Sequence, residues 1–299
     1  MGRNRSEGWK HAKLTGHINE ELACNQILEN EEIKLRILRC AHKPNSKIID
    51  ASAGGLTEKN VISVLGDTTK SKTDIYVKLD DNTTINISLK KEKGGQVYLI
   101  GASRFIDGFE KQYGMIVPDN IKKAIGLYWG SDEQVLDIIT RIPSKYDPYQ
   151  TRKHRIVAEI LQKFDESLYE ELLAWFNENI SLIFDYCFSR GLALQQKDWA
   201  QLIWYKNEIG EDTIDTIINI DDFKKILTAD SKYGTVNGGT TIQLPFGFVQ
   251  WHSPTKKIPG DMQFHHSYDK LVSLIQAYNS KFNIDLIEMI NDFCIDNEE

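Results

Sequence analysis

Cysteine and proline are scarce in this sequence, and the few cysteines lie far apart. The 299 residues contain seven prolines and four cysteines, Cys24, Cys40, Cys187 and Cys294. No two cysteines form a Cys-x-x-Cys pair, so a zinc site is not expected, and neither is a disulfide framework in a chain of this length. We therefore expect buried, reduced thiols in a cytoplasmic protein.

Several motifs that define enzyme classes are also missing. The sequence has no Gly-x-x-x-x-Gly-Lys phosphate loop, no nucleophile elbow and no His-Glu-x-x-His pair. These absences argue against ATP dependence, serine hydrolysis and zinc proteolysis. No apolar run approaches the length that crosses a bilayer, so no contact with a membrane is expected.

Positive charge is in deficit over the whole chain. Lysine and arginine number 36 against 43 aspartates and glutamates, which gives a formal net charge of -7. This excludes a protein that coats nucleic acid through bulk charge, although one local basic face suffices for an enzyme that binds DNA. A hydrophobic content of 41% with 10% aromatic residues predicts a folded globule.

Periodicity and turn residues predict the order of elements. Helical spacing covers residues 17–40, with a break near Asn30, and alternation predicts a β-hairpin around a turn at residues 80–82. Further predictions are strands at 47–52 and 61–66, hairpin strands at 73–79 and 83–91, a helix at 102–113, mostly helix over 119–220, strands within 233–266 with a turn at 254–257, and a helix over 268–295.

The hairpin carries the residues on which a functional interpretation rests. Asp74 opens its first strand, and Ser88 and Lys90 lie two apart on the second, hence on one face. Leu89 can still offer its carbonyl oxygen to a metal, because the backbone direction is independent of the side-chain face. Phosphodiester hydrolysis needs a hard divalent cation on oxygen ligands, and a lysine beside the attacking water adds positive charge.

Lys72-Thr73-Asp74 followed by Ile87-Ser88-Leu89-Lys90 resembles the motif of the PD-(D/E)XK nuclease superfamily and, within it, the type II restriction endonucleases. The resemblance covers roughly the first 115 residues as an order of elements. It implies an α/β fold: a restriction-endonuclease-like mixed-sheet core with flanking helices, plus a largely helical middle and a β-rich C-terminal segment. The expected domains are a catalytic core at 1–145 and a region at 146–299 for DNA contacts or dimerisation.

The sequence departs from the family pattern at the middle acid, where Ser88 stands for Asp or Glu. A hydroxyl is a weaker ligand than a carboxylate, which puts the second metal contact in doubt. The segment Gly16-His17-Ile18-Asn19-Glu20 is similar to the Gly-x-x-x-Glu element that presents an acidic ligand in many members. The resemblance thus implies that Asp74, Glu20 and the Leu89 carbonyl hold one or two Mg²⁺ ions, with Glu21 as the rival of Glu20.

Other residues are candidates for contacts with DNA. Flexible glycines and lysines after the hairpin could follow a phosphate backbone, and the C-terminal segment offers lysines at a turn and two adjacent histidines. Adjacent strand positions face opposite sides, so we expect one exposed and one packed histidine. The candidates are Lys91, Lys93, Gln96, Arg104, Lys256, Lys257, His265 and His266.

Together these features predict a Mg²⁺-dependent, sequence-specific double-stranded DNA endonuclease of the restriction-modification type. Asp74 and Glu20 bind the metal in this hypothesis, Ser88 holds a water or a second ion, and Lys90 polarises the nucleophile. A homodimer would suit palindromic sites, although some relatives act as monomers. Three alternatives stay open: another nuclease on the same core acting in repair, phage biology or RNA processing; an inactive DNA-binding protein; or a hairpin whose lysines merely form a solvated edge.

Overall fold

A computed structural model of the chain describes residues 5–54, 60–143, 156–209, 214–229, 241–251 and 260–282. Their contacts divide the chain into two compact units. The first comprises Met1–Lys93, Phe188–Lys224 and Val272–Glu299, and the second comprises Gly94–Cys187 and Lys225–Leu271. Within the described ranges, no helix has the length and apolar character needed to cross a membrane.

The described elements are as follows. The strands are β1 (Ile48–Ala53), β2 (Asn60–Ile62), β3 (Thr68–Lys70), β4 (Ile75–Leu79), β5 (Thr84–Lys90), β6 (Gly94–Gly101), β7 (Leu202–Lys206), β8 (Asp215–Asn219), β9 (Thr241–Leu244), β10 (Gly247–Trp251) and β11 (Asp261–Ser267). The helices are α1 (Arg5–Glu29), α2 (Glu31–Cys40), α3 (Ala102–Tyr113), α4 (Asp119–Trp129), α5 (Val135–Arg141), α6 (Ala158–Phe164), α7 (Glu166–Glu178), α8 (Ile180–Asp185), α9 (Ile220–Ala229) and α10 (Tyr268–Phe282). A π-helical turn covers Tyr186–Arg190, and a 3-10 turn covers Gln196–Asp198.

A five-stranded mixed sheet forms the first unit, in the order β1-β4-β5-β7-β8. β1, β4 and β5 pair antiparallel, β5 and β7 pair parallel, and β7 and β8 pair antiparallel. The parallel pair requires a long crossover between its strands, since a tight turn can join only antiparallel neighbours. In this chain the crossover contains the helices that follow β6.

The β4–β5 hairpin forms where the alternation predicts it. Ile75, Val77 and Leu79 are fully buried, whereas Lys78 between them is exposed. At the turn Asn82 adopts a left-handed conformation with φ 64°, which Asn tolerates better than most residues. The pairing that results places Tyr76 opposite Asn86 and Ile75 opposite Ile87.

Helices α1 and α2 meet at the predicted break. The side chain of Asn30 caps α2 by accepting hydrogen bonds from the backbone N–H of Glu32 (2.9 Å) and of Ile33 (3.3 Å). Both helices bury apolar residues in a common core with the sheet. Its fully buried members include Ala23, Ile27, Ile37, Val77, Ile87, Leu202 and Trp204.

The second unit holds an antiparallel sheet in the order β6-β11-β10-β9. Helices pack with it through a buried aromatic cluster, in which Phe105 contacts the rings of Phe109, Trp175, Tyr186 and Phe264. Trp251 also donates its indole N–H to the carbonyl of Tyr128 at 2.7 Å. The strands β9 to β11 confirm the predicted β-rich C-terminal segment.

The predicted fold class is confirmed: the chain is an α/β protein with a mixed sheet and flanking helices. The prediction of helix over 119–220 is wrong for residues 202–206 and 215–219, which form β7 and β8. Four consecutive residues of β7 are buried, because a parallel strand inside a sheet is covered on both faces and therefore lacks alternation. The strand β6 was also not predicted.

Two further predictions depend on which residues are described. Cys24, Cys40 and Cys187 are buried free thiols, as predicted, and Cys294 lies outside the described residues. The domain division at residue 145 stays a prediction, because the structure does not describe residues 144–155. Strands β7 and β8, which follow that position, pair with the sheet of the first unit.

Candidate active site

Asp74 lies immediately before β4 and is fixed by the neighbouring strand. Its backbone N–H donates to the carbonyl of Ile87 at 2.9 Å, which extends the hairpin ladder by one residue. Its Oδ2 accepts a hydrogen bond from the backbone N–H of Leu89 at 2.7 Å and one from the hydroxyl of Ser88 at 3.3 Å. The side chain is 32% exposed, so the carboxylate is held on one side and open on the other.

Lys90 extends along the same face of β5. Its Nζ donates to Ser88 Oγ at 2.6 Å and to the carbonyl of Leu89 at 3.2 Å, and it lies 3.8 Å from Asp74 Oδ2. The alternation of β5 therefore brings the predicted hydroxyl, carbonyl oxygen and ammonium into one cluster. Ser88 is only 2% exposed, so its hydroxyl is part of the support beneath Lys90.

Glu20 on α1 is the acidic residue that faces this cluster. Burial, and then the negative charge of Asp74, raise the pKa of Glu20 to about 7, against the opposing influence of His17 and Lys90. His17 Nδ1 lies 3.2 Å from Glu20 Oε2, one helical turn earlier. Glu21 is exposed, whereas the side chain of Glu20 is 17% exposed. Of the two rivals, Glu20 is the one whose charge acts together with Asp74 and Lys90.

The donor atoms in this cluster are oxygens. In the described part of the chain, no three His, Cys, Asp or Glu side chains gather as a metal site. The set here is two carboxylates, Asp74 and Glu20, with the neutral oxygens of Leu89 and Ser88. Mg²⁺ is commonly held by one or two carboxylates, and water and substrate oxygens complete its shell. The residues therefore fit Mg²⁺.

The predicted DNA-contact residues fall in different places. Lys91 and Lys93 follow β5 in the first unit, with Lys93 exposed and Lys91 4.0 Å from Glu92. Gln96 is exposed on β6 and Arg104 is partly buried on α3, both in the second unit. Lys256 and Lys257 lie outside the described residues.

His265 and His266 lie on opposite faces of β11, as strand alternation requires. His266 is 5% exposed. His265 stacks on Phe248 with ring centroids 4.5 Å apart. Burial lowers the pKa of His265, so the ring is neutral near neutral pH. His266 is thus the packed histidine of the expected pair, whereas His265 is half-buried against Phe248 rather than exposed.

A row of glutamines joins His265 on the accessible face of the second sheet. Gln263 donates to Gln96 at 2.7 Å and accepts from Gln250 at 3.0 Å, and the amide of Gln250 lies 3.3 Å from the His265 ring. Gln250 and Gln263 were not predicted. Their alternation with apolar neighbours could have predicted that both glutamines lie on the polar face of a strand. The sequence does not reveal, however, that β6, β11 and β10 are neighbours in one sheet.

Two residues near Glu20 were likewise not assigned a role from the sequence. His17 belongs to the quoted Gly-x-x-x-Glu element, and its position three residues before Glu20 places both on one helix face. Asn19 is 1% exposed and bonds to the backbone of residues 206 and 208. Its contacts are separated by almost 190 residues in sequence, so no local pattern could have indicated them.

Comparisons with known proteins show a loose structural likeness. No protein-family model matches this chain, and no curated protein matches it. Among solved structures, the chain is similar to restriction endonuclease MspI in complex with its cognate DNA, with 15% sequence identity and a TM-score of 0.44 over 79% of this chain and 77% of that chain. At this level of similarity, function has to be inferred from the residues of the site itself.

Proposed function

We propose that this protein is a Mg²⁺-dependent, sequence-specific endonuclease that hydrolyses phosphodiester bonds of double-stranded DNA. The observation that carries the proposal is the cluster on the β4–β5 hairpin, where Lys90 Nζ lies 3.8 Å from Asp74 Oδ2 and 3.2 Å from the carbonyl oxygen of Leu89. It combines an anionic ligand, a neutral ligand and a fixed cation, which together can hold a divalent ion and stabilise the charge of phosphodiester hydrolysis.

In this proposal each residue of the cluster has a distinct task. Asp74, Glu20 and the Leu89 carbonyl hold Mg²⁺, which when bound supplies positive charge against the phosphate oxygens. The ammonium of Lys90 donates a hydrogen bond to the attacking water and orients it in line with the bond to be broken. The hydroxyl of Ser88 accepts a hydrogen bond from the Lys90 ammonium and so limits the rotation of the lysine side chain.

Lys90 also stabilises the negative charge that develops during cleavage. As the water oxygen bonds to phosphorus and the leaving oxygen departs, negative charge grows on the phosphoryl oxygens. A cation fixed in advance stabilises that charge without reorganisation. The water gives up one proton to solvent, and the leaving oxygen takes one from solvent, so the step is balanced.

We assign base recognition to the glutamine row of the second unit. Gln96, Gln250, Gln263 and neutral His265 offer donors and acceptors without net charge, which suits base edges better than phosphates. Lys91, Lys93 and Arg104 are assigned to phosphate contacts. His266 is buried and receives no role in binding.

Cleavage of DNA of known sequence tests the proposed activity. The protein is incubated with linear duplex DNA in MgCl₂, in CaCl₂ and in EDTA, and the fragment ends are sequenced. Discrete fragments in MgCl₂ alone, absent for Asp74→Ala, support the proposal. Intact DNA with a folded protein contradicts it and favours a binding-only function.

Reactions with other nucleic acids distinguish the alternative nuclease functions. Single-stranded DNA and RNA of the same sequence are given to the same preparation, and preferential cleavage of either one points to a repair, phage or RNA-processing enzyme. For recognition, Gln263→Ala should relax the preference at one base pair by about 1–3 kcal/mol, or roughly 5-fold to 150-fold. Gln134→Ala, which changes an exposed glutamine at α5, is the matched control. Sedimentation with and without DNA reports whether a dimer forms.

A further inference from the structure

Asn19 joins the helix that carries Glu20 to the end of strand β7. Its side-chain amide donates to the carbonyl of Lys206 at 2.9 Å, and its Oδ1 accepts from the backbone N–H of Glu208 at 2.6 Å. The residue is 1% exposed. Because both ends of the amide are engaged, the bonds fix its orientation as well as its position.

The segment that Asn19 binds is directly connected to the catalytic strand. β7 pairs parallel with β5, and in their register Lys90 lies opposite Tyr205. Lys206 is the next residue along β7. Asn19 therefore ties α1 to the backbone one residue beyond the partner of Lys90, on the strand that is hydrogen-bonded to the strand of Lys90.

The rotation of α1 decides which acid faces the cluster. Successive residues of an α-helix point about 100° apart, so a turn by one position would exchange Glu20 for Glu21. The apolar contacts of α1, Ala23 and Ile27, are fully buried but carry no directional bond. Gln26 adds a polar contact, at 2.7 Å to Glu208 Oε2, but it lies almost two turns further along the helix.

We propose that Asn19 is a positioning residue that sets the rotation of α1, so that Glu20 and not Glu21 is directed at Asp74 and Lys90. This inference rests on the proposed function only in taking Glu20 as a metal ligand. Asn19 itself touches neither substrate nor metal. Its effect on the metal is exerted through Glu20, as supporting residues commonly exert theirs through the ligands they orient.

Binding of Mn²⁺, measured by electron paramagnetic resonance in the absence of DNA, tests the inference independently of cleavage. Asn19→Ala should weaken Mn²⁺ binding about tenfold or more, the usual effect of losing an orienting partner. Gln26→Ala is the matched control, because it removes another amide contact between α1 and Glu208 but Gln26 is not a neighbour of Glu20. The Mn²⁺ affinity of this variant should equal that of wild type. Circular dichroism and thermal melting verify that each variant is folded.

A double-variant cycle distinguishes positioning from general weakening. In a Glu20→Gln background, Asn19→Ala should add little further loss, because the ligand that it orients is already absent. Equal losses in both backgrounds, or wild-type Mn²⁺ binding by Asn19→Ala, would overturn the inference. If Asn19→Ala does not fold, Asn19→Ser, which keeps a hydroxyl at the buried position, is measured in its place with the same expectation.

The two proposals can fail separately. A wild-type protein that binds Mn²⁺ with the expected dependence on Asn19 but cleaves no nucleic acid retains the positioning role and refutes the nuclease function. Cleavage that depends on Lys90 but is indifferent to Asn19 and Glu20 retains the nuclease function and refutes the positioning role.

Discussion

The backbone N–H of Leu89 donates to Asp74 Oδ2 at 2.7 Å, so the carboxylate is anchored by the strand that carries Lys90. Asp74 and Lys90 are thereby parts of one rigid hairpin rather than of two independent loops. Geometry of this kind is held by hydrogen bonds of the sheet and needs no further element to align it. The functional consequences can be tested one residue at a time.

Removal of the Lys90 amine should abolish most of the activity without unfolding the protein. Lys90→Ala is expected to lower the cleavage rate by about 10²–10³-fold or more, the loss typical for a fixed group that stabilises developing charge. Rates are measured on a duplex at saturating Mg²⁺. Lys78→Ala removes an exposed lysine of the same hairpin that has no part in the site and should retain the catalytic rate. Full activity of Lys90→Ala would remove the mechanism proposed for this site.

Ser88 is expected to have a smaller effect than Lys90. Ser88→Ala deprives the Lys90 amine of its nearest partner, at 2.6 Å, but leaves the contacts to Leu89 and Asp74. We expect a loss of about tenfold in rate, corresponding to roughly 1–1.5 kcal/mol for one hydrogen bond. Single-turnover kinetics provide the measurement. A loss as large as that of Lys90→Ala would instead mean that Ser88 contacts the metal or the substrate.

The pKa of Glu20 predicts how stability depends on pH. Its folded pKa of about 7 lies above the ordinary value of 4.5, so the ionised form is disfavoured in the fold. The stability that the fold gains from neutral Glu20 is fully present below pH 4.5, and it is lost as the pH rises through 7. Glu20→Gln, which stays neutral, should therefore raise the free energy of unfolding by about 1–3 kcal/mol at pH 8 and change it little at pH 4.

Urea denaturation in EDTA at the two pH values checks this expectation. Glu21→Gln alters the exposed neighbour and should show no such pH dependence. If Glu20→Gln is no more stable than wild type at pH 8, the carboxylate does not lie in the buried surroundings described here.

Asp215 should be among the residues most important for stability in the first unit. Its Oδ1 accepts from Trp204 Nε1 at 2.9 Å, its Oδ2 lies 2.5 Å from Lys206, and Arg36 lies 3.2 Å from Oδ1. Burial would raise the pKa of Asp215, but Lys206, Trp204 and Arg36 outweigh it and lower the pKa. The stabilisation is thus present above the ordinary pKa of 3.8 and is lost as the pH falls below it.

Asp215→Asn is expected to lower the free energy of unfolding by about 3 kcal/mol at pH 7, because it leaves the buried Arg36 guanidinium without its counter-charge and Lys206 with Glu208 alone. The loss should shrink in acid, where the wild-type carboxyl also becomes neutral. Asp221→Asn, which breaks an exposed pair with Lys224, should change stability by less than about 1 kcal/mol. Equal destabilisation by both substitutions would contradict the role assigned to Asp215.

Local patterns account for the parts of the structure that were predicted. The hairpin from Ile75 to Lys90 follows from alternation and a turn of Asp and Asn, and α2 begins at Asn30 because that side chain caps it. Such features depend on neighbours a few residues away. β7 was assigned to a helix because residues 202–205 form a continuous apolar run without strand alternation. Its partner strand β5 precedes it by more than a hundred residues.

The sequence by itself determined the hairpin and the order of Asp74, Ser88 and Lys90 on it, since alternation and turn chemistry act within a few residues. The Gly-x-x-x-Glu spacing favoured Glu20, but Glu21 stayed its rival because two consecutive helix positions differ only in direction. Only the tertiary structure distinguishes their surroundings, because it buries much of the Glu20 side chain near Asp74 and leaves Glu21 exposed. Likewise, the glutamine row exists only because β6, β10 and β11, distant in sequence, are hydrogen-bonded side by side.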